Sequence, residues 1–198
     1  MLLAMWARPV TLVGTGVRLV PLTLAHVPGL ARVGLDPELW RWIPSPVASE
    51  AEMYTYVEVA LEEQRRGAAI PFATLEQATG AVIGSTRFAN ISAADRRVEI
   101  GWTWVARAHQ RTGANTEAKL LMLTHAFETL RAVRVELKTD ALNEQSRAAI
   151  LRLGAKEEGI LRKHRLTSSG RWRDTVYFSV LDEEWPAVKA RLQERLRR

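Results

Sequence analysis

Apolar and polar residues first alternate clearly at Val17-Arg-Leu-Val-Pro-Leu22, which predicts a strand, with Thr23 as candidate N-cap of a helix that the Asp36-Pro37 pair ends. Ser49-Glu-Ala-Glu52 has the spacing of a capping box. Behind it, Met53, Tyr56, Val57, Ala60 and Leu61 recur at helical intervals up to Arg65-Arg66-Gly67. Strands are expected over 70–76 and 81–91, joined at Gln77-Ala-Thr-Gly80. Residues 97–105 alternate, which assigns Val98, Ile100, Trp102 and Trp104 to one face and points Glu99 away from the tryptophans. Leu120, Leu123, Phe127 and Leu130, widened by Ala118, Met122 and Ala126, predict a helix over 114–130. A strand over 133–139, a helix over 143–153 ended by Gly154, two strands around Ser168-Ser-Gly170 and a basic helical tail complete the pattern. The order describes a mixed α/β (α+β) domain of about seven strands rather than a uniform βαβ repeat.

Composition narrows this picture. The chain has 198 residues, enough for one domain over 1–198, with 25% charged and 47% hydrophobic residues, close to the soluble average. No apolar run approaches the roughly 18 residues of a spanning helix, so no membrane partner is expected. The apolar start lacks a basic stretch and is cut short by Arg8-Pro9, which points to the cytoplasm rather than secretion. The absence of cysteine removes disulfides, thiolate ligands and a sulfur nucleophile. His26, His109, His125 and His164 show no metal-ligand spacing, so no metal is predicted. The net charge of +6 favours a polyanion, but the arginines are scattered, which fits a phosphate-bearing cofactor as well as nucleic acid.

Candidate chemistry lies between the strand over 97–105 and the next helix, in Arg107-Ala-His-Gln-Arg-Thr-Gly-Ala-Asn-Thr-Glu117. The first N–H groups of a helix lack partners within it and face an anion favourably, so main chain alone can hold a phosphate here. Gly113 permits close approach, Arg111 adds positive charge, and Thr112 or Thr116 adds a hydroxyl. The alternative is that Gly113 only makes a turn and that Thr112 or Asn115 only caps the helix.

Gln110-x-x-Gly113 after a strand and opening a helix resembles the cofactor motif (Q/R)-x-x-G-x-(G/A) of the GNAT acetyltransferases. Together with residues 12–22, Glu99-Ile-Gly-Trp102, Asn115-Thr-Glu-Ala118 and Asn143-x-x-Ser146, the chain is most similar to the RimJ/RimL-like branch, which includes ribosomal-protein N-acetyltransferases. Asn115 departs from the motif's final Gly or Ala. The resemblance implies a largely antiparallel sheet splayed at the cofactor site, with helices on both faces, and acetyl-CoA as cosubstrate. It places the pyrophosphate on Gln110, Arg111, Thr112, Gly113, Ala114, Asn115 and Thr116, and the pantetheine arm along Thr103, Trp104 and Val105 and on Asn143. Ser146 would assist the departing sulfur, since Ile150 stands where many relatives carry a tyrosine. Glu99 is the candidate base, with a strand carboxylate paired to Arg97 or Arg87 as the plainer account. A Val105 or Ala106 N–H would face the oxyanion. Trp40, Trp42, Pro44, Asp174 and Tyr177 are candidate acceptor contacts. The acceptor is a small-molecule or peptide amine, a ribosomal protein among them, and a homodimer through the final hairpin and the Trp185 region, as in some relatives, is a further expectation. A weakly catalytic acyl-CoA-binding protein and a nucleic-acid binder are the competing expectations.

Overall fold

The computed structural model describes residues 6–43 and 45–197; Pro44, the first five residues of the apolar start and Arg198 lie outside the described residues. Among the described residues the eight strands are β1 (Leu12–Val13), β2 (Val17–Pro21), β3 (Ile70–Glu76), β4 (Val82–Ser92), β5 (Arg97–Val105), β6 (Arg134–Asp140), β7 (Lys156–Leu166) and β8 (Trp172–Leu181). They form one sheet in the order β1-β2-β3-β4-β5-β6-β8-β7, antiparallel at every junction except the parallel β5–β6 pair. Among the described residues the α-helices named here are α1 (Val27–Gly34), α2 (Pro37–Trp40), α3 (Glu50–Arg65), α4 (Ala114–Thr124), α5 (Glu144–Leu153) and α6 (Trp185–Arg197). The two-residue β1 and the short α2 are additions to the sequence expectation. Asp36 does not simply end a helix: its carboxylate accepts from the Glu38 N–H and starts α2.

Several boundaries follow from local chemistry. The Ser49 hydroxyl caps α3 by accepting from the Glu52 N–H. Asn143 caps α5 in the same way at Ser146, and Gly154 ends that helix at φ +109°, where a Cβ would be strained.

Two apolar layers sandwich the sheet. One joins Val98, Ile100, Val135, Val176 and Phe178 to Met122, Leu123, Ile150, Leu153, Val188 and Leu192 from α4, α5 and α6. The other joins Ala73 and Trp104 to Leu30, Trp40, Met53, Tyr56 and Val57 from α1, α2 and α3.

Membership of these layers corrects the expected alternation of β5. Val98 and Ile100 lie in the first layer, whereas Trp104 is in the second and Trp102 packs against it. A bulge causes the switch. Between the pairs Ser85↔Trp104 and Arg87↔Gly101, β5 advances one residue more than β4, and Trp102 takes the left-handed φ of +49°. Glu99, alternating with Val98 and Ile100, therefore shares the tryptophan side instead of pointing away from it.

Candidate active site

The bulge also parts two strands. β5 pairs with β6 only at Arg97↔Arg134, Val98↔Val135 and Glu99↔Glu136, and beyond Glu99 the strands separate. The second half of β5 is left with a free edge towards β6, which an extended ligand bearing amides can pair with. This edge, the start of α4, the start of α5 and one face of β8 enclose a cleft of about 780 Å³. Four buried polar atoms without a hydrogen-bond partner border it: Trp104 Nε1, Asn115 Oδ1, Arg173 Nε and Thr175 Oγ1. Native proteins leave few such atoms unpaired, so their gathering here marks a place built for a polar ligand.

At the loop end, Gln110, Arg111, Thr112, Asn115 and Thr116 line the cleft. The left-handed turn falls on Arg111, at φ +62°, while Gly113 has an ordinary helical φ of −67°. Gly113 and Ala114 are not among the lining residues, and a Cβ on Gly113 would meet Leu196 at 3.4 Å. The expected need for glycine at 113 is thus not visible in its backbone. Neither Thr112 nor Asn115 is the N-cap of α4: that position is Gly113, without a side-chain cap, and the Thr112 Oγ1 instead closes the turn before it, donating to the His109 carbonyl (2.8 Å) and accepting from the Ala114 N–H (3.2 Å). Gln110 donates from Nε2 to the Val105 carbonyl at 3.1 Å, fastening the loop to the end of β5. His109 turns from the cleft and lies 3.5 Å from Glu76.

Thr103, Trp104, Val105, Asn143, Ser146 and Ile150 all line the cleft. The Ala106 N–H donates to the Ile83 carbonyl at 2.7 Å, which removes it as an oxyanion donor. Asn143 spends its Oδ1 on the cap, leaving its amide nitrogen for a ligand.

Glu99 is buried at the closed end of the opening. Its partners are neither Arg97 nor Arg87. Oε2 accepts from Asn90 Nδ2 (2.6 Å) and Lys138 Nζ (2.8 Å), while Arg87 pairs with Glu63. Asn90 reaches it from a second bulge, at a left-handed φ of +49°. Oε1 stays free above Gly101, where a Cβ would stand 2.9 Å away, so the glycine leaves that oxygen open. Burial works against the Lys138 charge, but Glu99 and Glu136 outweigh it and hold the ammonium above its ordinary range.

The acceptor candidates divide. Tyr177 lines the cleft, edge-on to His164 at 5.8 Å and with Lys138 Nζ 4.5 Å from its ring centre. Trp42 also lines it. Trp40 is core: it is buried, donates to the Gly34 carbonyl at 2.6 Å and packs against Tyr56 and Trp104. Asp174 is three residues from Tyr177 and so points to the opposite face of β8, where its carboxylate accepts from the Lys163 N–H at 2.7 Å.

Lys119 was not anticipated. It lines the cleft fully buried, donating to Thr103 Oγ1 (2.6 Å) and Thr86 Oγ1 (3.2 Å), with no carboxylate partner among the described residues. Burial pushes its pKa down to about 7. Its signal was its place four residues after Asn115 and three before Met122, on the inward stripe of α4.

Comparisons with known proteins give the family. Residues 17–156 match the Acetyltransferase (GNAT) domain, and the chain belongs to that family. It is 36% identical over 110 residues to the "Putative ribosomal N-acetyltransferase YdaF" of Bacillus subtilis, a match covering 56% of this chain and 59% of that relative's length. Among solved structures, a putative acetyltransferase from T. thermophilus is 41% identical, covering 97% of this chain and 100% of that one at a TM-score of 0.88. Mycobacterium smegmatis RimJ in complex with CoA-disulfide is 25% identical, with 96% of each chain covered and a TM-score of 0.83. Among the described residues, no helix is long and apolar enough to cross a membrane and no histidine and carboxylate cluster fits a metal ion.

Proposed function

We propose that this chain transfers the acetyl group of acetyl-CoA to a primary amine, acting as one unit over residues 1–198. The observation that carries the reading is the parting of β5 from β6 beyond Glu99, beside the N-terminus of α4. The cleft's size, free strand edge and anion-favouring helix start suit a long cofactor with phosphates at one end and amides along its arm. Bound there, acetyl-CoA supplies an electrophilic thioester carbonyl. The backbone of Gln110 to Thr116 holds phosphate, the Thr103–Val105 edge and the Asn143 amide hold the arm, and the Val105 N–H faces the oxyanion.

The acceptor must arrive as a neutral amine. Glu99 Oε1 takes the ammonium proton, the neutral nitrogen bonds to the carbonyl carbon, the carbon–sulfur bond breaks, and the nitrogen's surplus proton passes by way of Ser146 or water to the departing sulfur. No covalent intermediate with the chain forms. Trp42 and Tyr177 border the acceptor. The name of the ribosomal N-acetyltransferase YdaF favours a protein amine as acceptor, with ribosomal proteins as candidates.

Calorimetry with acetyl-CoA should show stoichiometric binding; failure to bind would sink the reading. Glu99→Gln should lower kcat about a hundredfold and Ser146→Ala about tenfold, with little change in the acetyl-CoA KM. Unchanged rates would remove these residues from the chemistry. Ile150, buried on the cleft wall where a hydroxyl would serve the leaving sulfur, favours a second reading as a weakly catalytic acyl-CoA-binding protein. Binding without turnover on a panel of amines and peptides would select it.

A further inference from the structure

β8 carries two chemistries on alternate residues. Val176, Phe178 and Val180 enter the core, whereas Arg173, Thr175 and Tyr177 line the cleft from the other face. Arg173 is only 8% exposed and Thr175 only 1%, and Arg173 Nε and Thr175 Oγ1 have no hydrogen-bond partner. Among the described residues, the Arg173 guanidinium makes no ion pair at all, which is an expensive way to bury a charge.

The neighbouring carboxylates are already engaged. Asp140 gives Oδ2 to Arg171 and accepts from the Leu142 N–H at Oδ1, and Glu99 gives Oε2 to Lys138. Burial lowers the Arg173 pKa; the Asp140 and Glu99 charges raise it, and the Arg165 and Arg171 charges lower it. Arg165 is its cross-strand partner, directly opposite on β7. Arg173 also borders a second cavity of about 530 Å³, lined by Trp42, Ser168 and Ser169.

We infer that Arg173 and Thr175 form a subsite for a carboxylate carried by one of the two reactants, so that this enzyme selects an acidic partner. The inference rests on the acyl-transfer reading of the cleft. A carboxylate would pair with the guanidinium and accept from the Thr175 hydroxyl, satisfying both orphaned atoms at once. Arg173 lies four residues, or about 13 Å, along the strand from Tyr177, less the reach of its side chain. That separation fits a carboxylate several bonds from the reacting amine, such as an acidic second residue of a peptide. A polycation is disfavoured, because Arg165 and Arg173 face each other across the strands and neither has an ion-pair partner among the described residues, whereas Lys138 and Arg171 are neutralised by Glu99 and Asp140.

The test compares peptides differing only in Asp or Asn at the second position, with acetyl-CoA as donor, and spermidine as the polycation. The aspartate peptide should show a kcat/KM at least about tenfold higher, and in Arg173→Gln the ratio should fall towards one, while spermidine should be a poor acceptor. Thr175→Val, which keeps the side chain's volume, should reduce the same ratio. If the peptides are not distinguished but succinyl-CoA outperforms acetyl-CoA in an Arg173-dependent way, the carboxylate belongs to the acyl chain. A ratio near one for peptides and donors alike in the wild type, or a loss in Arg173→Gln that strikes every substrate equally, overturns the subsite. Should no peptide turn over, titrating the N-acetylated aspartate and asparagine peptides into both proteins decides it separately. Arg173-dependent preference for the aspartate product supports the subsite and equal binding overturns it, whatever becomes of the acetyltransferase reading.

Discussion

Glu117→Ala is expected to destabilise the fold by about 3 kcal/mol, seen as a lower urea midpoint at unchanged m-value. Glu117 sits in the first turn of α4, yet its carboxylate is buried and points out of the cleft. Oε1 accepts from the Thr15 N–H (2.6 Å) and hydroxyl (2.8 Å), and Oε2 accepts from the N–H groups of Gly16 and Val17 (2.9 Å each). The turn between β1 and β2 thus wraps the carboxylate, and Gly14 is needed there because a Cβ would come within 2.5 Å of Oε1. Charge-assisted bonds are the stronger kind, but Thr15 and Gly16 are exposed, so water recovers part of the loss on truncation. Glu117→Gln should also destabilise, since an amide presents a donor to N–H groups that need an acceptor. Thr15→Val should cost about 1 kcal/mol, having removed one bond. A change below about half a kcal/mol in Glu117→Ala would show that the turn holds α4 without it.

Lys119→Met is expected to be more stable than the wild type at pH 6, and the gap should close as the pH rises towards 10. With its folded pKa near 7 against an ordinary 10.5, the buried lysine binds a proton in the unfolded chain that the folded chain lacks between those values. Stability rises with pH wherever the unfolded state holds more protons, so the wild type gains across that window. Below pH 7 both states are charged and the burial penalty is complete. The gap should narrow by roughly 4 kcal/mol over the window, and comparison with Lys119→Met cancels the other titrating groups. Matched denaturant curves from pH 6 to 10 check it; a constant gap would mean that the ammonium keeps its charge in the cleft wall, solvated through the opening.

Much of the architecture was legible from the chain. Ser49 and Asn143 cap the helices expected of them, Gly154 ends α5, and β3 and β5 have the expected limits. Gln110, Arg111, Thr112, Asn115 and Thr116, within the polar, small-residue segment between a strand and a helix, line the cleft. The misreadings share one origin. Alternation assigns a face only while a strand stays regular, and the bulge at Trp102 shifted Trp104 into the other layer and brought Glu99 onto the tryptophan side. Asp174 and Tyr177 were both offered as acceptor contacts, although their odd spacing puts them on opposite faces of β8.

Local pattern and cap chemistry, then, determined the order of elements and the loop at the start of α4, and the short motifs set on that order carried the resemblance to the GNAT family that the domain match shows. Those signals depend on neighbours within a few residues, which the chain specifies directly. The partners of Glu99, the wrapping of Glu117, the burial of Lys119 and the unpaired guanidinium of Arg173 were decided only in three dimensions. Each depends on what a distant strand or turn places opposite the side chain: a charged residue looks the same in sequence whether water, a backbone turn or nothing at all faces it.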